Sequence, residues 1–395
     1  MTTAQLARTL FALHDRVVVS RLTAATCRHG ELHPLLEGVV NGAPTLFRQE
    51  LLGHSLEGRT ITRISFGSGP LSVLLWSQMH GDEPTATLAL VDVFNFLLSE
   101  GRESVWVSEM LRAATVHCIL MLNPDGAERC QRCTAAHIDI NRDAVALASP
   151  EARVLKRAHE ACVPAFALNL HDQDVSSAGN LPAVSALALL APALDNENSV
   201  PAHRLRAMQL GALLVSALSP FLEGHIATYD DAFEPRAFGD RMQSWGTSTL
   251  LIESGHWPGD PGKGFIRKLN FVALLCAIKG IADRSYESAE LLRYAELKPN
   301  GKKVFDLIIR DVTLRHASGW SHRVDLGLSV APGQPDRFDP RQAPFLALVL
   351  KEIGDLSTHG ALETVQASGR VLPASAVAIE MVLPRGDFLA LLREG

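Results

Sequence analysis

The stretch 71-LSVLLWSQMHGDE-83 decides the fold. Its opening, LSVLLWSQ (71–78), is a near-continuous apolar run. A run of that kind predicts a strand covered on both faces, as in a sheet flanked by helices. It ends in His80-Gly81-Asp82-Glu83, an H-x-x-E pattern. A histidine and a carboxylate three apart on a tight turn can both reach one cation. Zinc takes imidazole and carboxylate ligands, and a catalytic zinc needs three protein ligands and one open position. Taken alone, the pattern is common by chance and also fits a loop of ordinary polar residues.

Working outward, strands and helices alternate from about 60 to 285. ITRISFG (61–67) alternates like a strand, TATLALVDVFNFLL (85–98) reads as a helix and TVHCILMLN (115–123) as a second buried strand. Pro124-Asp125-Gly126 then gives a turn signal. PEARVLKRAHEAC (150–162) is a helix with proline near its start, and AFALNL (165–170) a strand. A long helix over 199–222, a strand STLLIES (248–254) and a helix over 265–284 follow. This alternation predicts an α/β domain with a largely parallel central sheet. In such folds ligands sit at the carboxyl ends of strands. Four strands end in polar clusters, Q-M-H-G-D-E, N-P-D-G, N-L-H-D-Q-D and I-E-S-G-H, so the four ends can converge on one site.

The first 45 or so residues read as a helical segment, with Leu6, Leu10, Leu13 and Val17 at helical spacing. After 297 the character changes. KPNG signals a turn, and short β-type runs follow: VFDLIIRDVTL, HRVDLGLSV, FLALVLKEIG and VAIEMVLP. The expected layout is an N-terminal helical segment (1–45), a catalytic domain (46–297) and a small β-rich C-terminal domain (298–395).

The bulk properties bound the function. Of 395 residues, 47% are apolar and 20% charged, which suits a soluble globular core. The net charge of -6 offers no basic field for nucleic acid or an anionic membrane. The apolar stretches of the N-terminus are cut by Arg8, His14, Asp15 and Arg16, so it reads as a helix rather than a signal peptide. No uninterrupted apolar run approaches the roughly 20 residues of a membrane span; 181-LPAVSALALLAPAL-194 comes nearest. A cytoplasmic location is expected. Six cysteines in this length do not make a disulfide framework. Cys130 and Cys133 form C-x-x-C without a second pair to complete a zinc knuckle, and read as two reduced thiols in a loop.

Three further elements carry chemistry. His171 follows the strand AFALNL and would complete a His-Glu-His ligand set; a histidine so placed is, alone, more often a satisfied core or rim residue. Asp172 or Asp174 beside it offers an acceptor for a ligand histidine. Arg132, Asn141 and Arg142 lie in R-C-T-A-A-H-I-D-I-N-R-D, where arginines suit carboxylate binding and oxyanion stabilisation; the alternative is a solvated loop. Glu253 ends the apolar run Leu250-Leu251-Ile252. Burial would raise its pKa and suit it to general-base work, or it is a salt-bridged strand end.

These elements, in this order, resemble the zinc carboxypeptidase family (the funnelins): His80-x-x-Glu83, Asn123-Pro-Asp-Gly126, Arg132, Asp139-Ile-Asn141-Arg142, His171 and Glu253. The resemblance covers roughly 45–285. It implies a mixed, mostly parallel sheet of about eight strands between helices. It implies one zinc ion held by His80, Glu83 and His171. Arg132 would polarise the scissile carbonyl, Asn141 and Arg142 would clamp a substrate carboxylate, and Glu253 would activate the hydrolytic water at the zinc. Such peptidases carry a mobile tyrosine shortly before the catalytic glutamate. Of three tyrosines only Tyr229 is placed for this role. Its loop holds Asp230, Asp231, Glu234, Arg236 and Asp240, which shape either a polar substrate pocket or a solvated lid.

The leading expectation is a metallocarboxypeptidase acting on a peptide or peptide-like amide. The alternative is an N-acyl amino acid deacylase of the aspartoacylase and succinylglutamate desuccinylase type, whose small β domain after the catalytic domain matches the layout here. A non-catalytic zinc or peptide-binding module would keep the fold and lose a ligand or the base, yet every expected polar position is filled.

Overall fold

A computed structural model describes residues 2–331, 334 and 345–392. Two N-terminal helices, α1 (Thr3–Val17) and α2 (His29–Gly42), precede an antiparallel pair, β1 (Phe47–His54) and β2 (Thr60–Gly67). Then come β3 (Leu71–Trp76), α3 (Thr85–Leu98), α4 (Val105–Ala113), β4 (Ala114–Ile119), α5 (Pro124–Arg129) and α6 (Pro150–Cys162). They are followed by β5 (Phe166–Asp172), β6 (Ser177–Ala178), β7 (Leu187–Leu190), α7 (Ala202–Leu222) and β8 (Ile226–Thr228). The first layer set ends with α8 (Phe238–Ser244), β9 (Ser248–Ser254), α9 (Gly264–Ala282), α10 (Leu292–Ala295) and β10 (Lys298–Gly301).

The ten strands form one mixed sheet in the order β1-β2-β4-β3-β5-β9-β7-β8-β10-β6. Its centre, β4-β3-β5-β9, is parallel. Every residue of β5 and β9 is buried, which is why these strands read as continuous apolar runs. Successive residues of β3 serve opposite layers. Val73 and Leu75 pack towards α3, α7 and α9, whereas Leu74 and Trp76 pack towards α6 and α8. The chain runs from β3 to β4 on one side and then crosses to β5 on the other. The carboxyl ends of β3 and β5 therefore flank a topological switch point, where open α/β sheets place their ligands.

Helix α1 is tied to this body by buried charge. Asp92 on α3 accepts from Arg267 Nε on α9 (2.6 Å), from His14 Nε2 (2.9 Å) and from Val19 N (2.8 Å). Helix α7 is long and apolar enough, by length and composition, to cross a membrane. Reading uninterrupted apolar runs misses it because Gln209, Ser216 and Ser219 break the run. In this fold it packs on α1, α9 and β9.

A second sheet comprises β11 (Val304–Arg315), β12 (Ser321–Val330), β13 (Ala347–Gly354), β14 (Gly360–Gln366), β15 (Val371–Pro373) and β16 (Val382–Pro384). Its order is β14-β11-β12-β13-β16, with β15 beside β11. Helix α11 (Arg385–Leu391) follows, and Phe388 on it joins Leu307, Ile309, Leu326 and Leu350 in a separate core.

Several local readings are corrected. Asn123-Pro-Asp-Gly126 is not a free turn but the start of α5. Asn123 is its N-cap, with Oδ1 accepting from Gly126 N at 2.9 Å, and Pro124 takes the first helical position, where a missing N–H costs nothing. Lys298-Pro-Asn-Gly301 is not a turn either; it is β10, wedged between β8 and β6. Of VAIEMVLP only Val382–Pro384 is strand. Strands β1 and β7 and helix α4 were not anticipated.

Candidate metal centre and its cleft

The loop after β3 is shaped by backbone contact. Gln78 adopts φ 48°, its Nε2 donates to Gly81 O at 3.0 Å, and its own carbonyl accepts from Asn123 N at 2.9 Å. Gly81 lies directly on α5: a Cβ there would stand 2.0 Å from Gly126 C. Gly126 is equally confined: a Cβ there would stand 2.4 Å from Asn123 Nδ2. The glycines of H-G-D-E and N-P-D-G are thus two halves of one backbone contact that presents His80 and Glu83 over the sheet. Asp125 serves the scaffold. Fully buried, it accepts from Ser55 Oγ (2.7 Å), Glu57 N (3.0 Å) and Arg59 Nη1 (2.7 Å) and so anchors the β1–β2 hairpin.

His80, Glu83 and His171 are buried together, with one ligand atom from each all within 4.8 Å of one another. His80 Nδ1 is 2.7 Å from Glu83 Oε1, His171 Nδ1 is 2.8 Å from Glu83 Oε2, and the two Nδ1 atoms are 3.1 Å apart. The other ring nitrogen of His80, Nε2, faces Asp139 Oδ1 at 3.1 Å. A proton on Nε2 leaves the Nδ1 lone pair pointing into the cluster, the arrangement by which carboxylates orient metal-ligating histidines. Asp172 N donates to Glu83 Oε2 at 3.1 Å and fixes the carboxylate from behind. Two imidazoles and a carboxylate are zinc ligand types, and three is the count of a catalytic site, so the donor set fits a zinc ion.

Without metal the cluster is strongly polarised. Burial works to lower the His80 pKa, but the Glu83 carboxylate and the hydrogen bond to Asp139 overcome it and raise it to about 9. For His171 burial prevails over Glu83 and the pKa falls. Burial would raise Glu83, yet the two histidines hold it well below the usual carboxylate range. Glu253 is opposite. It pairs in register with His171 across β5 and β9, is buried, and its Oε2 has no hydrogen-bond partner among the described residues. Burial and then the charge of Glu83 push its carboxyl well above the ordinary range.

Arg132 reaches this centre. Its Nη1 is 3.1 Å from His80 Nδ1 and 3.5 Å from Glu83 Oε1, while Nε donates to Asp139 Oδ2 at 3.0 Å. Asn141 and Arg142 lie one short turn further on. Asn141 N donates to Asp139 Oδ1 at 2.8 Å, and its side-chain oxygen accepts from Phe238 N, joining this loop to α8. Arg142, about half exposed, has Nε 3.6 Å from Glu234 Oε2. Tyr229 follows β8; burial first, then the charges of Glu253 and Glu83, raise its phenol to about 12. Arg142 and Tyr229, with Asp230, Asp231 and Lys302, line a cleft of about 850 Å³, whose lining includes none of His80, Glu83, Arg132, His171 and Glu253. Glu234 and Arg236 instead close on each other (2.6 and 2.8 Å), and Asp240 accepts from Glu234 N inside the loop.

Asp139 is the residue that sequence reasoning passed over, although it stands in the quoted D-I-N-R. It binds His80, Arg132 and the Asn141 backbone at once. Of the two acceptors expected for a ligand histidine, Asp172 accepts instead from Thr85 Oγ1 and Lys263 Nζ. None of the six cysteines is joined in a disulfide.

Residues 32–152, which carry H-G-D-E, N-P-D-G, Arg132 and D-I-N-R, match the family model described as zinc carboxypeptidase. This segment is similar to the zinc carboxypeptidase family. Carboxypeptidase D of Drosophila melanogaster is 26% identical over 132 residues, covering 29% of this chain and 9% of that protein. Carboxypeptidase 2 of Trichophyton tonsurans is 28% identical over 105 residues, 27% of this chain and 19% of that protein. The match thus spans a fifth or less of these relatives' length. The carboxypeptidase fold extends further along the chain. A metallo-carboxypeptidase from Burkholderia cenocepacia superposes with a TM-score of 0.51 at 16% identity, covering 64% of this chain and 68% of that one. Thrombin activatable fibrinolysis inhibitor gives 0.53 at 12% identity, covering 71% and 81%. At these identities the likeness is one of fold. The zinc carboxypeptidase family implies a zinc cofactor, and the His80–Glu83–His171 cluster supplies a ligand set for it.

Proposed function

We propose that the chain is a zinc-dependent hydrolase of the metallocarboxypeptidase type, cleaving a peptide or peptide-like amide in a substrate that bears a carboxylate. The observation that carries this reading is the convergence of His80, Glu83 and His171 with two groups a structural metal site does not need: the Arg132 guanidinium and the buried Glu253 carboxyl. A zinc ion bound by the three ligands supplies Lewis acidity and lowers the pKa of water at the site.

The chain's own residues then divide the work. Glu253, its pKa raised by burial and by the charge of Glu83, takes a proton from the attacking water and returns it to the leaving nitrogen. Arg132 polarises the scissile carbonyl and balances the negative charge that develops on its oxygen. Asp139 holds both Arg132 and His80 in place. Arg142 and the Asn141 amide group take the substrate carboxylate at the mouth of the cleft, where bidentate guanidinium contacts are strongest. Tyr229, on the cleft wall, covers the bound substrate.

The test is hydrolysis of peptides with free and with amidated C-termini by zinc-loaded protein, beside a Glu253→Gln variant. Free C-termini are expected to be required, and the variant to keep zinc while losing turnover. Activity that survives complete metal removal overturns the reading. The N-acyl amino acid deacylase reading draws support from one observation: the second sheet abuts the loop after His171, where Gly360 packs on Pro182 O and Lys303 N donates to Ser177 Oγ. A preference for N-acyl amino acids over every peptide in the same assay would favour it.

A further inference from the structure

Lys263 stands one residue before α9, in a left-handed conformation (φ 53°), and is 1% exposed. A lysine so deeply buried is costly unless its charge is matched. Its Nζ is 3.1 Å from Asp172 Oδ2 and 3.3 Å from Ser254 O. Asp172 Oδ2 also accepts from Thr85 Oγ1 at 2.5 Å, while Oδ1 has no partner among the described residues. One buried junction therefore joins three elements at their active ends. Thr85 lies two residues after Glu83, Asp172 directly follows His171, and Ser254 directly follows Glu253. The Asp172 backbone N–H in turn binds Glu83 Oε2.

We infer that the Lys263–Asp172 pair is a positioning clamp that sets the mutual geometry of Glu83, His171 and Glu253. Buried ion pairs add little net stability compared with well-packed apolar pairs of similar size, and their best-attested use is to specify one arrangement. Lys263 reaches across the ends of β5 and β9 to a side-chain oxygen on one strand and a main-chain oxygen on the other. It thus holds the strand ends that present a metal ligand and the base. It touches neither substrate nor the reacting atoms. Asn270 Nδ2, bonded to Ser254 Oγ at 3.0 Å, braces the same strand end from α9.

The metal arm of the test rests on the zinc reading; a second arm does not. The Lys263→Met/Asp172→Leu double variant removes both charges and fills the space with apolar groups. It is expected to melt near the parent temperature, to bind zinc about tenfold or more weakly, and to shift the visible spectrum of the Co²⁺-substituted protein. In metal-free protein its His171 imidazole NMR signals should broaden or split relative to the parent. Parental zinc affinity together with parental His171 signals overturns the clamp. If the double variant does not fold, Thr85→Val, which removes one hydroxyl from the same carboxylate, must broaden or split the His171 signals relative to the parent; unchanged signals overturn the clamp too. If the parent itself binds no zinc, the hydrolase reading fails, while the metal-free His171 signals still decide the clamp.

Discussion

Replacing Asp139 by asparagine separates a scaffold carboxylate from one that works in the site. Oδ1 of Asp139 accepts from His80 Nε2 (3.1 Å) and Asn141 N (2.8 Å), and Oδ2 accepts from Arg132 Nε (3.0 Å) and Nη2 (3.0 Å). Asparagine preserves shape but holds one acceptor. With its oxygen towards His80, its NH₂ meets the Arg132 guanidinium, donor against donor; flipped, it abandons His80. One of the two contacts is lost either way. A hydrogen bond to a charged group contributes about 1.5–3 kcal/mol, and the Arg132 side is roughly half exposed, so the lower end applies there. That is about a tenfold effect, and carboxylates that orient metal-bound histidines typically account for about 10–100-fold in affinity or activity. Asp139→Asn is therefore expected to weaken zinc binding or lower kcat by about 10–100-fold, read by competition with a chromophoric chelator and by hydrolysis at saturating zinc. Asp125→Asn is the control: it should lower the melting temperature, because Asp125 anchors the β1–β2 hairpin, and leave zinc affinity alone. Asp139→Asn with parental zinc affinity and kcat within about twofold would refute the assignment.

Glu253→Gln is expected to retain zinc by elemental analysis and lose turnover by a factor of about 10² or more, the scale of general acid–base catalysis. Gly81→Ala should destabilise the fold by about 3 kcal/mol or more in denaturant titration, since its Cβ would stand 2.0 Å from main-chain atoms that cannot swing aside. In metal-free protein the His80 pKa is raised from 6.5 to about 9, so its stabilisation is fully present below pH 6.5 and is lost as pH rises through 9. The raised Glu253 pKa acts in the same sense, because ionising it in the buried site costs stability. Thermal melting without zinc should therefore fall between pH 6.5 and 9, and zinc binding should release protons over that range; a flat profile would refute the His80–Glu83 and His80–Asp139 pairing.

The difference between what the sequence disclosed and what it concealed has a physical cause. β3, β5 and β9 were legible because a strand buried on both faces must be apolar throughout, and a polar residue at its end must have a purpose. His80, Glu83, His171 and Glu253 all announce themselves in this way, by contrast with what precedes them. Strand β1 did not, since its pattern alternates exposed and half-buried positions at the sheet edge. Neither did β7, whose four apolar residues sit in a longer run of alanine and leucine that suits helix or strand. The turn readings of N-P-D-G and K-P-N-G failed because proline, asparagine and glycine also serve as N-cap, first helical residue and close-contact residue; only tertiary packing chooses among these uses. Asp139 and Lys263 were the hardest to see. An aspartate between two isoleucines and a lysine in a glycine-rich loop are ordinary as strings of letters. Their roles arise from partners about 60 and 90 residues away in sequence. First-contact groups in this site can thus be read from local contrast, whereas the residues that orient them are defined by distance in space alone. Substitutions at Asp139 and Lys263 should accordingly separate metal geometry from fold stability more cleanly than substitutions at the ligands, which alter both.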